Sequence, residues 1–193
     1  MSGKFHKGFT LIELAIVIVI LGVLAVVAAP KFINLSSAAR VSSLEGVASA
    51  MESAITQVQA KAYIQGLLPE ETQPSGGNAQ ADYVIDFGIG EVEIDWGTLC
   101  PESEGEAADK LTMVDFLTLN LSSDLTFSQG NRHLVVGYDY PFSDSDLNSK
   151  HYDSAADLPD GCYVIYDSFG RSNGSRCPSG GCECTVTLIE TNC

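Results

Sequence analysis

The first 99 residues of this 193-residue chain hold no cysteine, and residues 66–193 hold only five basic side chains. The first absence leaves a cytosolic thiol or redox role nothing to act with in the N-terminal part. All six cysteines, at 100, 162, 177, 182, 184 and 193, fall in the remainder. That distribution points to an oxidising compartment and disulfides. The second absence sets five bases against 22 acids, a net charge of −17 on residues 66–193. Such a surface repels phosphate, so no specific nucleic-acid partner is expected. The chain also lacks a P-loop, a dinucleotide fingerprint and a Ser-His-Asp arrangement, and no catalytic residue or cofactor is expected.

Residues 1–65 are near neutral, with five bases and three acids. They open on MSGKFHKG, which carries Lys4, His6 and Lys7. The 21 residues from Phe9 to Ala29 then carry one charge, Glu13. As a helix this run measures about 30 Å, the thickness of a bilayer's hydrocarbon core. The basic leader predicts a cytoplasmic N-terminus and an exported acidic part. A plain signal anchor is the rival reading. It does not explain an acid that costs about 2.5–3.5 kcal/mol at mid-bilayer, and less near its edge. If the chain is cut after Gly8, Phe9 acquires a cationic amine, and Glu13 lies one helical turn along to neutralise it in its own chain or a neighbour's.

The string Gly8-Phe9-Thr10-Leu11-Ile12-Glu13-Leu14 resembles the prepilin cleavage motif of type IV pilins and type II secretion pseudopilins. The resemblance implies cleavage by a membrane prepilin peptidase between Gly8 and Phe9, and N-methylation of Phe9. It also implies that Glu13 guides docking into a growing filament at a pilus assembly platform. AAPKFINL, SAARVSSLEGVASAM and the run to YIQG further resemble mannose-sensitive haemagglutinin pilins, as do CYVIYD and CTVTLIETNC at the end. The resemblance is weak over residues 67–160.

Helical signals continue past Pro30. Apolar residues recur at Leu44, Val47, Met51, Ile55, Val58 and Ala62, an amphipathic stripe that Gly66 and Pro69 should end. Unbroken, residues 9–65 would form a helix of about 85 Å. Gly22 costs about 1 kcal/mol and Pro30 about 3 kcal/mol within a helix, so residues 22–30 are its weakest stretch. The family resemblance implies that Gly22 and Pro30 mark a segment that loses helicity in the filament, after extraction from lipid; a simple kink at Pro30 is the alternative.

Beyond Pro69–Ala81, read as a loop, Tyr83–Phe87 and Val92–Trp96 suggest a hairpin. Glu106–Leu119 reads as a short helix. Leu134–Tyr140, Cys162–Tyr166 and Cys184–Glu190 read as strands, and Pro141–Gly161 as acidic loop. One antiparallel sheet on the helix stripe would bury both apolar faces. In a strand, Cys182 and Cys184 would point the same way about 6.6 Å apart, which disfavours a bond between them. The resemblance implies a Cys162–Cys193 bond, leaving Cys100 and Cys177 to bond Cys182 and Cys184 in either order. A zinc reading of the cysteines has poor spacing. Asp82, Asp86, Glu91, Glu93 and Asp95 include enough acids for calcium but lack the EF-hand pattern, and alternate strand acids read as a solvated face. Arg171 and Arg176 read as a solvated loop.

The expectation is an α+β pilin fold: a leader (1–8), a long helix (9–65, with 9–29 spanning the membrane or forming a filament core) and an acidic, disulfide-bonded head (66–193). The expected role is a major subunit of a surface filament for attachment or motility, a homopolymer that passes through the inner membrane to the cell exterior. A type II secretion pseudopilin is the alternative, and a membrane-anchored binding module the third reading.

Overall fold

The computed structural model describes residues 9–74, 83–105, 109–119, 124–172 and 175–193. Gly8 and Asp82 lie outside the described residues, as does the side chain of Pro30. Two compact units, Met1–Ala39 and Arg40–Cys193, are described in turn. Helix α1, Leu11–Ile64, contributes residues to both.

In the first unit, α1 is apolar on every side from Leu11 to Ala28 apart from Glu13, and its backbone is helical through Gly22 and Pro30. From Phe9 to Val27 its large side chains are exposed, Leu11 to 87% and Val26 to 75%. Removing such a surface from water requires lipid or other apolar helices.

In the second unit, α1 is amphipathic. Leu44, Met51, Ala54, Val58 and Ala62 are buried, and Val47 and Ile55 are partly buried. Gly66 ends the helix at φ +83°, a conformation open to glycine at little cost, and Leu67 N–H closes back onto the Ala62 carbonyl.

The stripe serves two sheets, where one was expected. Its first half packs against a four-stranded antiparallel sheet of order β3-β4-β5-β6: Thr126–Gln129, His133–Asp139, Cys162–Asp167 and Thr185–Ile189. Its second half, Val58 and Ala62, meets a small hairpin, β1 (Val84–Asp86) and β2 (Glu91–Glu93), through Ile85, Val92 and Ile94. Burial on α1 therefore runs longer than a single sheet covers.

Strand alternation gives the four-stranded sheet two apolar faces. Leu134, Val136, Val164 and Tyr166 face α1. Val135, Tyr163 and Ile165 face the other way, under a strap formed by residues 140–158 that plugs in Leu147. The expected acidic loop is this strap, and it holds helix α2 (Asp144–Ser149) and a 3-10 turn at Ala155–Asp157. Ser143 and Asp146 form a reciprocal cap on α2. Gly137 lets β4 close on β5, since a Cβ there would lie 2.5 Å from that of Tyr163, and the register shifts between Gly137 and Asp139.

Of the helix expected over Glu106–Leu119, residues 106–108 lie outside the described residues, and residues 109–119 hold only a 3-10 turn, Met113–Phe116. Residues before it are extended because their backbone groups are taken by β2: Leu111 N–H donates to the Glu91 carbonyl, and Glu93 N–H to the Leu111 carbonyl. Three disulfides tie the head: Cys100–Cys184, Cys162–Cys193 and Cys177–Cys182. All six thiols are thereby consumed, which overturns the zinc reading.

Candidate assembly segment and head surface

Phe9, Thr10 and Glu13 open the N-terminal unit. Thr10 sits just ahead of α1, and Glu13 is the third residue of the helix. Thr10 N–H donates to Glu13 Oε2 at 2.8 Å and the Thr10 hydroxyl donates to the same oxygen at 2.9 Å. Glu13 N–H approaches Thr10 Oγ1 at 3.3 Å. This is a capping box, written in the sequence as T-x-x-E and passed over there in favour of the Phe9 amine. It gives Glu13 a partner that does not depend on a cut at Gly8–Phe9. It also leaves one carboxylate oxygen, Oε1, outside the box.

Behind it, Leu11–Ala28 is an 18-residue window of mean hydropathy 3.1, with none of its residues buried. Its length and composition suffice to cross a membrane. At Gly22 an added Cβ would meet nothing within 4 Å. The glycine is therefore not required by packing within the isolated chain.

The head contributes a surface of one sign. Asp95 and Arg171, expected on solvated segments, form a buried bidentate ion pair with both contacts at 2.7 Å. The Asp95 side chain is 1% exposed, and Asp95 Oδ1 also accepts the Gly97 and Thr98 N–H groups. Arg171 stacks 3.8 Å above the Trp96 ring. Glu93 is buried as well, so the alternation of acids along β2 does not make a solvated face. Arg132, wholly buried, donates to Asp167 Oδ2 through Nε and Nη2. Lys110 pairs with Glu91, and Lys150 lies 3.6 Å from Asp146. Of the five head bases, Arg176 alone is exposed without an ion pair among the described residues.

Residues 3–29 match the family described as the prokaryotic N-terminal methylation motif. The chain is 53% identical over 57 residues to a type IV narrow pilus major component, PilA5, of Thermus thermophilus, covering 28% of this chain and 49% of that protein. It is 32% identical over 95 residues to a fimbrial protein of Pseudomonas aeruginosa, 47% of this chain and 60% of the relative. It is 33% identical over 105 residues to the type IV major pilin PilE1 of Neisseria gonorrhoeae, 54% of this chain and 47% of the relative. The chain thus spans about half the length of these curated relatives. No solved structure matches it significantly. With the methylation motif at its head and an apolar helix behind it, this chain is similar to type IV pilins in motif, and in sequence over up to 54% of its length.

Proposed function

We propose that the chain is a major pilin, a structural subunit that polymerises with copies of itself through α1 into a type IV pilus for attachment or motility. A prepilin peptidase cuts between Gly8 and Phe9 while Leu11–Ala28 holds the precursor in the inner membrane. Methylated Phe9 then presents its amine to Glu13, and the assembly platform moves the subunit into an extracellular filament. The observation that carries this reading is an all-round apolar, uncovered helix start holding one carboxylate. The head's exposed charge, almost wholly acidic, supports an outer surface that keeps filaments soluble and repels nucleic acid. The three disulfides favour a pilin over a pseudopilin, because they supply covalently the clamp that a calcium loop would otherwise provide. Gly22 and Pro30 take the role of a segment that loses helicity on assembly.

Glu13→Ala tests the reading. A buried charge left unpaired costs about 3 kcal/mol or more, so filament yield should fall by about a hundredfold at unchanged membrane levels of the protein. Electron microscopy of sheared surface material, with mass spectrometry of its N-terminus, reads the result. Filaments of Glu13→Ala at normal yield overturn the docking role, and chains that still begin at Met1 overturn the processing.

A further inference from the structure

An open groove of about 350 Å³ lies where the last turns of α1 meet the loop ahead of β6. Gln59, Tyr63, Thr98, Glu183, Cys182 and Cys184 line it. Cys182 and Cys184 are half-buried, whereas their disulfide partners, Cys177 and Cys100, are buried. Each of these two bonds thus has one end at the groove and the other inside the head.

Gln59 distinguishes the two bonds. Its Nε2 donates to the Thr98 carbonyl at 2.9 Å and to Cys100 Sγ at 3.3 Å. The Thr98 contact fixes which end of the amide faces the sulfur, and each acceptor takes one of the two N–H groups. The turn that offers both acceptors is itself pinned. Cys100 N–H donates to Thr98 Oγ1 at 3.1 Å, and the Thr98 hydroxyl donates to the Ser168 carbonyl at 2.7 Å. A neutral disulfide sulfur is a weak acceptor and a thiolate a strong one. The amide therefore gains most when charge collects on Cys100. Among the described residues, no side chain donates to either sulfur of Cys177–Cys182 or of Cys162–Cys193.

We propose that the groove is a thiol–disulfide exchange site, which presents Cys100–Cys184 of the folded head to an uncharged or cationic dithiol. A thiolate of the dithiol attacks Cys184 Sγ and forms a mixed disulfide. The Cys100–Cys184 bond breaks, and its electron pair leaves on Cys100, which the Gln59 amide stabilises as a thiolate. The second thiol of the dithiol then attacks the mixed disulfide and releases Cys184. The dithiol ends as a disulfide, and its two protons end on Cys100 and Cys184. Run in reverse, the same step lets an oxidised dithiol carrier close the bond after the head has folded. Glu183, an exposed residue of the groove wall, repels an anionic thiol and sets the charge preference. Opening unties the 95–100 turn from the start of β6, which stays paired with β5.

The test is reduction of the full-length chain in detergent by excess cysteamine at about pH 7.5, without denaturant. Alkylation stops the reaction, and peptide mass spectrometry reads each bond. Cys100–Cys184 should open about tenfold faster than Cys162–Cys193, or more. Gln59→Leu and, as a second variant, Gln59→Met remove the donor at similar size. Each should slow Cys100–Cys184 by about tenfold and leave Cys162–Cys193 at its wild-type rate. A variant that merely loosened the head would speed both bonds. At low salt, and per thiolate, cysteamine should outrun anionic mercaptoethanesulfonate by about threefold or more, and Glu183→Gln should narrow that gap. Equal opening rates for the two bonds in the wild type overturn the proposal. So does opening that needs denaturant, or a folded Gln59 variant that keeps the wild-type rate. If neither Gln59 variant folds, the wild-type ratio and the charge preference decide.

Discussion

The same helix behaves as two materials. Ahead of Arg40 none of its described side chains is buried, and its one acid is satisfied by a neighbouring threonine. Behind that point it buries Leu44, Met51, Val58 and Ala62 completely, in a head held by three disulfides and two buried ion pairs. Helix propensity does not separate the two halves; what covers them does. One half is complete as folded, whereas the other carries an apolar surface that only lipid or other helices can satisfy.

The largest single break in the head should come from Asp167→Ala, which strands the wholly buried Arg132 guanidinium. Removing one partner of such a pair costs about 3–5 kcal/mol, read as a lowered denaturation midpoint of the detergent-solubilised chain. Next, Met51→Ala should cost about 2–5 kcal/mol through the cavity it leaves, while Ile16→Ala, on the uncovered half, should leave the unfolding transition of the head unchanged. Equal effects from the two would erase the contrast. Replacing Cys162 and Cys193 together by Ser should cost about 2–5 kcal/mol. The smallest effect concerns the weak stretch: Gly22→Ala has room for its methyl and should favour the helix by about 1 kcal/mol. If melting there is needed for assembly, its filament yield should drop while the unfolding midpoint of the head stays put.

The long helix was legible because its stripe keeps helical spacing over many turns, and β4 and β5 because apolar runs bounded by turn residues admit few other readings. β3 was missed: Thr126–Gln129 carries one large apolar residue, and it is a strand because its backbone registers with Leu134–Gly137. The 106–119 segment looked helical in isolation, but β2 claims its backbone. Asp95 and Arg171 stand 76 residues apart, so nothing local marked them as partners. At the assembly segment the reverse holds. The Thr10–Glu13 box is wholly local, and its T-x-x-E signature was there to be read. Where long-range pairing decides a side chain's surroundings, sequence spacing alone does not find it.

The Arg171 stack has a practical consequence. Trp96 is the only tryptophan in the chain, and its ring lies beneath a guanidinium that Asp95 holds in place. Its fluorescence is thus a built-in gauge of the head alone, shifting when the stack parts and silent to whatever happens between Phe9 and Ala28. Its emission can report whether the head survives acid or reductant without a label being attached.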